Sequence, residues 1–235
     1  MKKLKVLVAC EESQRVCVAF RQLGHTAFSC DIVECSGGHP EWHIMQDVTP
    51  LLNGDCLFIT MDGKQHTVKG SWDLIVAHPP CTWFSNATMV NLGRKDHPEV
   101  FNDEWRRNFY EKQKKAFEFF LSIWNCNCKH IAIENVIGWL NTNFRKPTQI
   151  IQPYYFDEPY RKATCLWLYN LPKLQPTKIV QPTCKWVKHN LKTKNDLKGY
   201  ESKGVYGSKN RSSTFKGIAD AMAKQWSEYI LKEQK

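Results

Sequence analysis

Long apolar runs are missing from this sequence: none approaches the ~20 residues that span a bilayer. That argues against a membrane-spanning helix, and no membrane partner is expected. A cleavage-type segment is also missing. MKKLKVLVAC has a basic head, but LKVLVA is too short for a signal peptide's apolar region, so a soluble cytoplasmic protein is expected. There is no internal repeat and no low-complexity tract. Acids are in short supply: 23 Asp and Glu stand against 33 Lys and Arg, a formal net charge of +10, which favours a polyanionic partner. Ten cysteines without a secretion signal read as reduced thiols. The only close pair, Cys126 and Cys128, has no second pair or histidine at metal-site spacing, so no metal is assigned.

What is present is a regular alternation of strand and helix signals. LKVLVA (4–9) reads as a buried strand and QRVCVAFRQLG as a helix stopping at Gly24. HTAFSCDIV is a second strand ending near Asp31, and IMQDV a short apolar stretch followed by Asp47. DCLFITMDGKQHTVKG predicts a hairpin around Asp62-Gly63. WDLIVA (72–77), HIAIEN (130–135) and ATCLWLY (163–169) are further strands. A long amphipathic helix covers about 102–125, its aromatic stripe facing the core, and a closing helix ends the chain. Such alternation implies an α/β fold with an open, mainly parallel sheet flanked by helices. In these sheets ligands sit beyond the carboxyl ends of the strands. The residues there are Cys10-Glu11-Glu12-Ser13, Asp31, Asp47, Pro79-Pro80-Cys81 and Glu134-Asn135. Together they place a polar set on one rim, with one thiol behind two stiffening prolines.

The order of these rim residues resembles the DNA cytosine-5 methyltransferase family. HPPC, ending at Cys81, resembles its Pro-Cys nucleophile loop; ENV at 134–136 matches its Glu-Asn-Val motif; RKATCLWL (161–168) weakly resembles a later motif with two basic residues before a strand. VLVACEESQ, CDIV and AHPPCT look closest to small phage-encoded methyltransferase-like proteins, which would place the chain in a host cytoplasm. The resemblance implies a Rossmann-like S-adenosylmethionine-dependent methyltransferase fold and activity on DNA. It implies a catalytic role for Cys81 as nucleophile, for Glu134 at the ring N3 of cytosine, and for Lys162 near O2. For S-adenosylmethionine it implies Asp31 and Ile32 at the ribose, Asp47 and Val48 at the adenine edge, and Ala9, Glu11 and Ser13 around the methionine part. Pro79 and Pro80 flank that site, and Thr214 with Phe215 close it. Read locally, Asp31 and Asp47 serve equally as turn or cap acids, Glu11 as a helix cap, Lys162 as a solvated lysine and His78 as a hydrogen-bonded turn histidine.

The sequence departs from the family pattern in four places. The first loop, ACEESQ, lacks the expected glycines; Thr82-Trp83 stands where a glutamine is usual; Lys162 and Thr164 replace an arginine pair; the recognition region is only about 45 residues long. The expected division is a catalytic core at 1–170, a basic target-recognition region at 171–213 and a closing helix at 214–235. From Lys185 to Lys216 nine Lys or Arg face two acids. Lys185, Lys188, Lys192, Lys194, Lys198, Lys203, Lys209 and Arg211 are the candidate phosphate contacts, interleaved with Trp186, Tyr200 and Tyr206 as stacking surfaces. DNA is the expected partner, RNA the variant, and a monomer the expected state. The alternatives are an exocyclic amino methyltransferase, which places an aromatic where Cys81 stands, and an inert nucleic-acid binder on the same scaffold.

Overall fold

The structure is a computed structural model and describes residues 2–95, 98–185 and 213–234. Seven strands form the main sheet: β1 (Lys5–Ala9), β2 (Thr26–Asp31), β3 (His43–Met45), β6 (Leu74–Ala77), β7 (Ile131–Val136), β8 (Gln149–Ile151) and β10 (Thr164–Tyr169). Their order is β3-β2-β1-β6-β7-β10-β8, parallel from β3 through β7, with β10 antiparallel to both β7 and β8. The hairpin forms as the sequence predicts, from β4 (Cys56–Ile59) and β5 (Gln65–Val68), but as a separate two-stranded sheet. Gly63 turns it at φ 82°, a conformation natural to glycine. A short β9 (Tyr160–Arg161) pairs in parallel with β11 (Cys184–Lys185).

Five α-helices complete the described residues: α1 (Arg15–Gln22), α2 (Asn86–Met89), α3 (Asp103–Trp124), α4 (Leu140–Asn143) and α5 (Lys216–Glu233). The pleat of the strands explains why the sheet is covered twice. In β1, Val6 and Val8 join the cluster formed with Phe20 of α1 and Ile218, Met222 and Trp226 of α5. Leu7 and Ala9 join the opposite cluster with Phe120 and Ile123 of α3, Trp72 and Trp167. Strands β6 and β7 divide their residues the same way. Each fully buried aliphatic or aromatic side chain contributes about 1.5–3 kcal/mol.

The chain after β10 runs back over this core. Leu174 is buried, Gln149 exchanges hydrogen bonds with its backbone, and Trp226 Nε1 donates to Pro172 O at 3.1 Å. No helix among the described residues is long and apolar enough to cross a membrane.

Candidate active site at the strand ends

Strand β1 pairs with β2 on one side and β6 on the other, so the chain reverses its direction of progress across the sheet at β1. A crevice opens beyond the carboxyl ends at such a switch point. Two loops form its walls: residues 10–14 after β1 and residues 78–85 after β6.

The second loop delivers Cys81. Its prolines limit the backbone, and the ENV segment ties it down. Asn135 Nδ2 donates to Pro79 O at 2.9 Å, and Trp139 N donates to Phe84 O at 2.8 Å. Ser85 and Gly138 form an antiparallel bridge, and the rings of Phe84 and Trp139 stack at 5.9 Å. From α3, buried Gln113 donates to Trp83 O at 2.8 Å. The motif that carries Glu134 therefore also fixes the loop that carries the thiol.

The first loop has no glycine, yet Cys10 and Gln14 adopt left-handed backbone at φ 59° and 56°. Each costs roughly 1–2 kcal/mol for a residue with a Cβ. Buried side-chain bonds hold the shape. Glu11 accepts from the amides of Val16 at 2.6 Å and Cys17 at 3.1 Å, so this acid caps α1 from outside the helix. Gln14 donates to Ser29 Oγ and His39 O and accepts from His39 N.

A cavity of about 340 Å³ lies between the loops. Cys81, Glu134 and Lys162 line it together, as do Glu11, Ser13, Asp31, Pro79, Pro80 and Thr214. A second lobe of about 290 Å³ shares Cys10, Asp31 and Pro80 with the first and is walled by Ile32, Asp47, Val48 and Phe119. Asp31 thus stands between the two. Its carboxyl is pushed up by burial, against the amides of Val33 and Ile32. The exposed Asp47 is held low by Thr49, whose amide donates to it at 2.7 Å.

Strand order and the position of the crevice together define an open, Rossmann-like α/β fold. No family model matches the sequence, and no curated protein matches it. Solved structures similar to the chain include two methyltransferases. S. pombe Dnmt2 methyltransferase is 16% identical at a TM-score of 0.43, over 73% of this chain and 51% of that one. The Entamoeba histolytica methyltransferase EhMeth is 13% identical at 0.40, over 84% and 65%. This chain thus spans less than two thirds of either protein.

The donor set fits S-adenosylmethionine. A carboxylate between the lobes suits a ribose diol, and the slot of Ile32, Val48, Pro80 and Phe119 suits a flat adenine. Two residues expected around that cofactor lie elsewhere. Ala9 is fully buried under α3, and its neighbour Cys10 lines both lobes. Phe215 is buried against Tyr160, with Lys162 Nζ 5.9 Å above its ring, and Thr214 alone of that pair reaches the cavity. Glu11 lines the cavity while its two oxygens are occupied by α1.

Electrostatics separate the acids. Cys81 is exposed at the cavity mouth, yet neighbouring atoms desolvate its sulfur. That burial, then the Glu134 charge, pushes the thiol up, with Lys162 opposing. Burial alone raises a buried carboxyl such as Glu134, but the hydrogen bond and charge of His78, then Lys162, hold it below its ordinary value. From sequence, His78 reads only as a turn histidine; the structure puts its Nδ1 3.2 Å from Glu134 Oε2. The side chain of Lys185, and Lys188, Lys192, Lys194, Lys198, Lys203, Lys209 and Arg211, lie outside the described residues.

Proposed function

We propose that the chain transfers a methyl group from S-adenosylmethionine to C5 of a cytosine in DNA, through a covalent adduct with Cys81. The supporting observation is the first lobe itself: an accessible thiol, a part-buried carboxylate and the Lys162 amine line one cavity, contiguous with a nucleoside-sized slot. Cytosine C5 is a poor nucleophile. A thiolate from Cys81 adding to C6 turns the ring into an enamine, and C5 can then attack an electrophilic methyl. Glu134 manages the charge that appears at N3, and Lys162 stands at the cavity for O2. The proton then leaves C5 and the thiolate is expelled. Bound S-adenosylmethionine supplies the methyl; Asp31 and the apolar slot orient it.

The raised thiol must first ionise, so transfer accelerates as pH rises toward the thiol's own range. C6 is shielded in a stacked duplex, and the target base must be extruded to reach Cys81. We assign the DNA backbone to the basic residues 185–211 on their charge pattern, which predicts steep salt dependence.

A 5-fluorocytosine duplex incubated with S-adenosylmethionine tests the reading. A denaturation-resistant adduct at Cys81 is expected. Cys81→Ser forms none, loses transfer by more than about 10⁴-fold and keeps cofactor affinity. Methylation of the exocyclic nitrogen with no adduct replaces this reading with the amino-directed one.

A further inference from the structure

His78 is the buried titratable group that the proposed transfer leaves unused. It follows β6 directly, and its amide donates to Ala9 O at 2.9 Å, which locks it against β1. Nδ1 faces Glu134 Oε2 at 3.2 Å, with the two side chains 8% and 19% exposed. The other ring nitrogen, Nε2, is sealed from solvent and makes no hydrogen bond among the described residues. Left without a partner, that nitrogen carries a desolvation cost, and the ring holds the carboxylate through Nδ1 alone.

The groups acting on His78 come from every side. Glu134 reaches it from β7, Glu11 from the loop after β1 and Lys162 from the segment before β10, and Cys81 lines the same cavity. Glu12 and Asp31 line the cavity as well, burial pushes the Glu11 carboxyl up, and Glu134 is the charge that faces the ring directly, where it favours an imidazolium. Burial favours the neutral ring, but the bond to Glu134 and the charges of Glu134 and Glu11 prevail and raise it, with Lys162 opposing.

We infer that His78 is a positioning residue and proton reservoir: its Nδ1–H aims the Glu134 carboxylate and passes a proton through it to the ring N3 of the base. This rests on the roles proposed for Cys81 and Glu134. The thiolate electron pair forms the Sγ–C6 bond. The C5=C6 pair moves to C4–C5, and the C4=N3 pair to N3. The Nδ1 proton passes to Glu134, whose carboxyl delivers a proton to N3, leaving a neutral imidazole. When C5 has lost its proton and the thiolate departs, the N3 proton returns along the same path.

The test reads the addition step without cofactor, as release of tritium from DNA labelled at cytosine C5, across a pH series. The wild-type profile is bell-shaped: it rises as the thiol ionises and falls as His78 loses its proton. His78→Gln keeps a donor to Glu134 but holds no transferable proton. Its exchange drops by about 10²-fold and its falling limb disappears. Exchange within threefold of wild type on an unchanged bell overturns the inference. Nitrogen-15 NMR of the intact protein gives a second reading that needs no variant. Both His78 ring nitrogens carry protons at pH 7 if the inference holds, and a neutral ring there overturns it. Cys81→Ser separates the two claims. If it still exchanges tritium, the thiol's role fails; if it is silent while His78→Gln is normal, only the reservoir fails.

Discussion

The loop that carries Cys81 and the loop opposite it, residues 10–14, are both rigid, but by different means. The first is stiffened in sequence by Pro79 and Pro80 and then stitched through its backbone carbonyls, with Asn135, Trp139 and Gln113 donating to Pro79 O, Phe84 O and Trp83 O in turn. The second has neither proline nor glycine. It keeps left-handed Cys10 and Gln14 in place through the side chains of Glu11 and Gln14. One loop avoids strain and the other offsets it with buried hydrogen bonds. The difference shows that a glycine-poor first loop is compatible with a crevice at the strand ends, provided that its acids and amides are used to hold the backbone.

Breaking the stitched loop should have the largest effect. A Cβ on Gly138 would stand 2.0 Å from Phe84 O and 3.0 Å from Phe84 C, backbone atoms that cannot yield without parting the loops. Gly138→Ala should cost about 3 kcal/mol or more in urea unfolding and abolish adduct formation. A variant of wild-type stability would show that the two loops are not coupled.

Glu134→Gln comes next and sharpens the electrostatic side. Transfer should slow by about 10²–10³-fold, for want of a group that carries the N3 proton. The thiol should move the other way. Removing a negative charge that raises Cys81 increases its thiolate fraction at a given pH, so alkylation by iodoacetamide at pH 8 speeds up. Cys81 is the one exposed cysteine among the described residues, which makes the reaction readable by peptide mapping. Slower alkylation would refute the assignment of Glu134 as the charge that restrains the thiol.

The smallest effect is expected in the first loop. Gln14→Ala removes the side-chain bonds to Ser29 Oγ and to the backbone of His39, and should cost about 1–2 kcal/mol. Adduct formation by the folded fraction should persist. If this variant instead lost all adduct, the first loop would be positioning the reacting groups and not merely walling the crevice.

Much of the fold is legible because each element carries its own period. The strands at 5–9, 26–31, 74–77, 131–136 and 164–169 and the helix at 103–124 match the apolar runs nearly residue for residue. Strand β8 is not legible, since three residues carry no period and exist as a strand only through pairing with β10. Ala9 misses the cavity by one residue of register: the strand still holds Ala9 in the core, and the turn begins at Cys10. His78 is unreadable for a different reason. Nothing in the neighbouring residues marks a histidine whose partner lies 56 positions away.

By itself, the sequence determined the alternation of strand and helix and the order in which a thiol, two acids and a carboxyl-asparagine pair reach one rim. Those follow from local hydrophobic period, proline stiffness and the direction of parallel strands. Only the tertiary structure decided which of these groups carry charge. That depends on burial and on what stands opposite: α1 amides occupy Glu11, while His78 and Lys162 keep Glu134 ionised and Glu134 in turn restrains Cys81.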